Sequence, residues 1–170
     1  MNLKLNLKAV KFLLVGLAAI TPSLSTASPT NGKGMTFHVG NYNSLFGTNQ
    51  VKCPIGSSDY ACDPYQGDTS CKVALPILCI NKSGVPDPEG NSDYYNGWAD
   101  GHVGHTDPVL GTSIKSRANA TAMCAAQLGD GYIMADFNDG HGGWNWRAYG
   151  NLRADTRYWV NVTIAAGTCY

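Results

Sequence analysis

The chain of 170 residues carries twelve lysines and arginines, twelve acids, 20 glycines and 8 prolines, enough for one loop-rich domain. Three of the cations, Lys4, Lys8 and Lys11, fall in an acid-free amino terminus that reads as a leader, and without it nine cations face twelve acids, a net charge of −3. With no basic run anywhere, that balance excludes nucleic-acid binding driven by phosphate neutralisation.

Residues 1–27 have the order of a secretory signal: the basic stretch, an apolar run from Phe12 to Ile20, then the small residues Ser25-Thr26-Ala27. The apolar run is too short to span a bilayer, so the mature chain is expected to have no membrane span and to be secreted, extracellular or periplasmic. Residues 28–52 follow as a lead-in, turn-rich over 28–34, with a short strand expected at Met35 to Val39. Residues 53–93 form a cysteine-rich loop region without helical period. Within it Val73 to Ile80 is apolar, and Pro76 marks the run as an edge strand or an extended segment.

The second part, residues 94–170, belongs to the same domain. Over 116–128, Ala120, Met123, Cys124 and Leu128 follow the spacing of a buried helical stripe, with Ser113 or Ser116 to cap the start and Gly129 to end it. Tyr132 to Phe137 alternates as a strand, Ile133, Ala135 and Phe137 on one side and Tyr132, Met134 and Asp136 on the other. Tyr158 to Ile164 alternates in the same way. The expected fold class is α+β, a single disulfide-stapled domain with little helix.

All six cysteines, Cys53, Cys62, Cys71, Cys79, Cys124 and Cys169, lie after the leader. An even number in an exported chain reads as a disulfide framework, and the absence of any C-x-x-C pair argues against a zinc module. Four cysteines crowd together and two stand apart. That distribution suggests Cys124 bonded to Cys169, with the first four paired among themselves.

From residue 94 onward, the helix with A-x-x-x-C (Ala120 to Cys124), a Gly-Asp-Gly turn, a strand, a Trp-rich segment, a late strand and a terminal cysteine follow one another. This order resembles the C-type-lectin-like fold over roughly residues 94–170. The resemblance implies a bond from the helix cysteine to one in the last strand. The Glu-Pro-Asn and Trp-Asn-Asp calcium-sugar signatures of the sugar-binding members are absent, so the resemblance bears on fold rather than on lectin activity.

Two constellations carry possible chemistry. Asp100-Gly-His102-Val-Gly-His105-Thr-Asp107 could give His102 and His105 to a divalent metal, with His141, Asp136 or Asp139 as further ligands. The segment from Asp136 to Tyr149 holds Asp136, Asn138, Asp139, His141, Trp144, Trp146 and Arg147. Its Asp and Asn oxygens would suit calcium. Its two indoles, at i and i+2, would share one face of an extended segment, with Asn145 and Arg147 on the other. Exposed indoles beside Asp, Asn and Arg suit a sugar, whose C–H faces stack while its hydroxyls bond. If buried, the same indoles are core.

Three readings follow. The first is a secreted binding module that recognises a glycan or a cell-surface protein through this Asp/Asn/Trp-rich loop. The second is a small secreted metal-dependent hydrolase or toxin-like enzyme using His102, His105 and His141 with Asp136 or Asp139, and zinc, copper or nickel as its divalent metal. The third is a structural surface protein. Catalysis is the weaker expectation, because the chain has one glutamate, Glu89, and no G-x-S-x-G elbow.

Overall fold

The computed structural model describes residues 32–53 and 61–170, and the leader read over 1–27 lies outside the described residues. In chain order the strands are β1 (Lys33–Gly34), β2 (Thr36–Asn43), β3 (Thr48–Lys52), β4 (Thr69–Ser70), β5 (Ala74–Leu75), β6 (Leu78–Asn81), β7 (Gly97–His105) and β8 (Val109–Leu110). A short 3-10 turn (Gly111–Ser113) and helix α1 (Arg117–Leu128) follow, then β9 (Ile133–Met134), β10 (Asn145–Tyr149) and β11 (Arg157–Trp159). Seven strands form one sheet in the order β11-β2-β3-β10-β7-β6-β9. Its neighbours are antiparallel except β10 and β7, which run parallel. The pairs β1–β4 and β5–β8 make two small ribbons.

The domain is therefore β-rich, and the α+β expectation is corrected: α1 is the one α-helix among the described residues. The difference arises largely before residue 53. Residues 36–52, expected as a lead-in with one short strand, form a hairpin that supplies two inner strands of the sheet. Its turn closes at Gly47, whose φ of 69° suits a residue without Cβ and whose N–H donates to the Asn43 carbonyl. Val73 to Ile80 also divides differently. Pro76 separates β5 from β6, and β6 lies inside the sheet between β7 and β9, because its own amides begin beyond the proline.

Side-chain alternation sorts the apolar residues into two cores on opposite faces of the sheet. Phe37, Val51, Leu78, Ile80, Ala135, Phe137, Trp146, Tyr158 and Val160 share the larger core. Ile77, Cys79, Met134 and Trp159, each one residue out of step with a member of the first set, share the smaller core with α1. The helix forms where its pattern places it. Ser116 caps it by accepting from the Asn119 N–H at 3.0 Å, and Ala120 and Cys124 are buried, with Met123 and Leu128 packed beside them. Gly129 follows at φ 102°.

The disulfides are Cys53–Cys62, Cys71–Cys169 and Cys79–Cys124. The expected Cys124–Cys169 bond, which the lectin-like resemblance also implied, is not formed. Cys124 faces inward from α1 onto the sheet, where β6 presents Cys79, while the chain end passes the β1 and β4 ribbon beside Cys71. Close packing there is set by glycine: a Cβ on Gly34 or Gly111 would lie 2.6 or 2.7 Å from the Cys169 sulfur.

Helix α1 covers only half of its sheet face. It sits over β7 at Gly104, where a Cβ would meet Leu128 at 2.9 Å. Register places Gln50, Arg147 and Trp98 in one row of the same face, and Thr48, Tyr149 and His102 in the next. That second half is polar, and residues 82–96 rather than a helix lie against it.

Candidate functional site

Arg147 is the centre of the uncovered half. It is 5 % exposed, and its guanidinium contacts Glu89 Oε2 at 2.5 Å and Asp87 Oδ2 at 3.3 Å and donates to Ser92 Oγ at 3.3 Å. A buried guanidinium is tolerable only when paired in this way. The Thr48 hydroxyl donates to the other Glu89 oxygen at 2.7 Å, and the Gln50 amide donates to Asn96 Oδ1 at 3.0 Å. Trp98 Nε1 donates to the Val85 carbonyl at 2.7 Å. Six contacts from three strands thus hold 82–96 onto the sheet.

Between this segment and β2 a cleft of about 200 Å³ remains, lined by Asn41, Asn43, Thr48, Gln50, Glu89, Asn96 and Arg147. A register shift in β2 between Val39 and Tyr42 turns Asn41 and Asn43 toward it. Every lining side chain can hydrogen-bond, and the one cation is already neutralised. Burial alone would raise the Asp87 carboxyl, but the Ser92 hydroxyl, the Glu89 and Gly90 amides and the Arg147 charge outweigh it and hold the group below the usual value.

Only Arg147, of the seven residues expected to bind ligand, lines this cleft. Trp146 is 0 % exposed and packs edge-on against Phe37, and Trp144 packs edge-on against Phe137. The two indoles do share a face, but it is the core face, so the expected aromatic binding surface is corrected. Asp136 is buried, accepting from Asn161 Nδ2 and Thr163 Oγ1 at 2.5 Å each and from the Asn138 N–H at 3.0 Å. Tyr170 in turn donates to Asn161. Asp139 is buried, caps the Asp136 N–H at 2.6 Å and pairs with Lys82 at 2.9 Å. Burial raises its carboxyl above the usual value, with the Asp136 N–H and the Lys82 ammonium acting the other way. These oxygens are spent on the fold, and calcium has no open set of them here.

The histidines do not converge. His102 and His105 lie three residues apart on one strand and so point to opposite faces of β7. His102 stacks on Tyr149 and contacts Ser83 Oγ at 3.3 Å, while His105 lies against Tyr158. His141 meets Asp100 instead, Nε2 to Oδ2 at 3.2 Å. Among the described residues no three His, Cys, Asp or Glu side chains come together to hold a metal, which removes the expected His102, His105 and His141 centre.

Sequence reasoning missed Asn41, Asn43, Thr48, Gln50, Glu89 and Asn96. The alternation Thr48-Asn-Gln50-Val-Lys52 could have found two of them, since it reads as a strand with one polar face. Among the described residues no helix is long and apolar enough to cross a membrane. No protein-family model matches the chain, and neither a curated protein nor a solved structure matches it.

Proposed function

We propose that the chain is a secreted binding module for a glycan, and that its site is the amide-lined cleft over Arg147 rather than the Asp136–Trp146 segment. The observation that carries this reading is a buried guanidinium clamped by Asp87, Glu89 and Ser92 at the floor of a cleft otherwise lined by amides and hydroxyl groups. Asn41, Asn43, Gln50 and Asn96 each offer both donors and acceptors, which is what vicinal sugar hydroxyls require. Because the clamp fixes the floor before ligand arrives, little side-chain freedom is lost on binding. The volume of about 200 Å³ suits a small polar ring more than a drug-sized apolar ligand.

Charge narrows the ligand further. Arg147 is paired twice over, so an acidic sugar finds no unneutralised cation, and a neutral sugar is the expected class. Hydrolysis of the glycan is disfavoured, because Asp87 and Glu89 converge on one guanidinium instead of facing each other across a scissile bond. Three disulfides and the basic-apolar-small leader support export.

The test is a glycan array followed by calorimetry on the oxidised mature protein, using wild type, Gln50→Ala and Asn41→Ala. Loss of about tenfold or more in affinity is expected for each variant, at unchanged thermal midpoint for Asn41→Ala and with a small drop for Gln50→Ala, which also loses its bond to Asn96. Wild-type affinity in both variants, or binding confined to charged glycans, would rule the cleft out as the site.

A further inference from the structure

We infer that the glycan is held as an oligosaccharide across two lobes, the cleft over Arg147 and a second groove lined by the same segment, residues 92–98; this rests on the reading of the cleft as a glycan site. The second groove has a volume of about 300 Å³ and is walled by Asp93, Tyr94, Trp98, Asp100 and His141. The two lobes are joined through shared groups. Asn96 lines the first and its neighbour Gly97 the second. Arg147, the floor of the first, donates to Ser92 in the wall of the second. Arg147 and Trp98 are register partners on β10 and β7, on one sheet face.

The second lobe supplies what the first lacks. Tyr94 is 66 % exposed, and its ring is steadied by an edge contact with Tyr95 at 5.1 Å, which leaves an aromatic surface for the apolar C–H face of a sugar ring. The same groove is lined by the Asp100–His141 pair, which uses one carboxylate oxygen and one ring nitrogen, so the other oxygen and nitrogen can take hydroxyls. Asp100 and His141 are the two non-glycine residues with positive φ among the described residues, at 55° and 69°, and Asp100 sits where β7 bulges away from β10. No lysine or arginine lines the groove, so it too suits a neutral sugar. Backbone contact fixes the two walls: a Cβ on Gly140 would meet Trp146, and one on Gly97 would lie 1.6 Å from the Gly140 carbonyl oxygen.

Calorimetry with two series, β-1,4-linked glucose and β-1,4-linked N-acetylglucosamine from monosaccharide to tetrasaccharide, tests the arrangement. In wild type, affinity is expected to rise about tenfold or more between the monosaccharide and the trisaccharide of the series that binds. Tyr94→Ala and Asp100→Gly, the latter chosen because Gly accepts the φ of 55° while removing the carboxylate, are expected to cancel that rise while leaving monosaccharide affinity within about twofold. Gln50→Ala is expected to weaken every length. If the monosaccharide binds but length brings no gain, or if both groove variants keep the gain, the second lobe is refuted and the cleft stands. If neither series binds at any length, both readings fall.

Discussion

Glu89 Oε2 lies 2.5 Å from the guanidinium of Arg147, and this is the chain's sole glutamate meeting a buried arginine from a segment 58 positions upstream. The contact joins the cover of the cleft to its floor. Removing one partner of such a buried pair strands the other, so Arg147→Ala is expected to cost about 3–5 kcal/mol of stability. Glu89→Gln keeps the shape and the Thr48 contact and should cost less. Urea denaturation of both variants ranks them, and amide exchange over 82–96 should rise in Arg147→Ala before the sheet is affected. Unchanged exchange there would mean that the segment is held by something other than the clamp.

The two shifted aspartates pull stability in opposite directions with pH. The Asp87 carboxyl is lower in the folded chain than its ordinary 3.8, so its contribution is complete above that value and is lost as pH falls through the depressed folded value. Asp139 is higher in the folded chain, so its contribution is complete below 3.8 and is lost as pH rises through the raised folded value. Denaturation midpoints between about pH 2 and pH 6 should therefore fall less steeply on the acid side for Asp87→Asn, while Asp139→Asn should remove a decline just above 3.8. Parallel curves for the two variants would contradict both assignments.

Mass spectrometry of unreduced peptides should recover Cys71 linked to Cys169 and Cys79 linked to Cys124. The second bond closes a separation of 45 residues, for which the chain-entropy relation gives about 4 kcal/mol, and the first closes 98, for which it gives about 4.7 kcal/mol. Replacing Cys71 and Cys169 together by serine should thus lower the midpoint at least as far as replacing Cys79 and Cys124. A peptide joining Cys124 to Cys169 would overturn the connectivity.

Trp146 and Trp144 differ as core residues and should differ as variants. Trp146→Ala empties a fully buried site on the core face of the sheet, beside Phe37, and is expected to cost about 3–5 kcal/mol. Trp146→Phe keeps an aromatic ring and removes an indole N–H that has no hydrogen-bond partner among the described residues, so it should cost less. Trp144→Ala, at a half-buried position, should fall below Trp146→Ala as well. Guanidinium denaturation orders the three, and a Trp146→Ala midpoint equal to wild type would remove that indole from the core.

What the sequence disclosed depended on how local the signal was. Ala135 and Phe137 against Met134, and Tyr158 and Val160 against Trp159, separated into the two cores as their alternation implied, because strand period alone decides which face a side chain takes. The same rule paired Asn145 with Arg147 opposite the indoles, but it could not say which face was buried. That depended on Phe37 and Phe137 arriving from elsewhere in the chain. Cysteine connectivity was illegible for the same reason, since it follows from where α1 lands on the sheet. Glu89 read only as a carboxylate without a catalytic partner, because its partner on β10 becomes a neighbour only when the parallel pairing with β7 forms.

The glycines at 140 and 142 offer the sharpest test of how the two lobes are joined. A Cβ at Gly142 would sit 1.5 Å from the Tyr94 carbonyl oxygen, and one at Gly140 would sit 2.2 Å from Trp146 Cβ. Neither clash is with the end of a flexible side chain, so a methyl group must push main chain apart. Gly142→Ala should displace the segment carrying Tyr94 and lower stability by an amount at the large end of ordinary substitutions, about 3 kcal/mol or more. Gly84→Ala serves as the comparison: its φ is 70°, but no atom lies within 4 Å of the added carbon, so its cost is that of backbone conformation alone, about 1–2 kcal/mol. Thermal and chemical denaturation of the pair separates steric from conformational cost. If Gly142→Ala proved no worse than Gly84→Ala, residues 94 and 142 would not be in backbone contact, and the wall between the lobes would have to be redrawn.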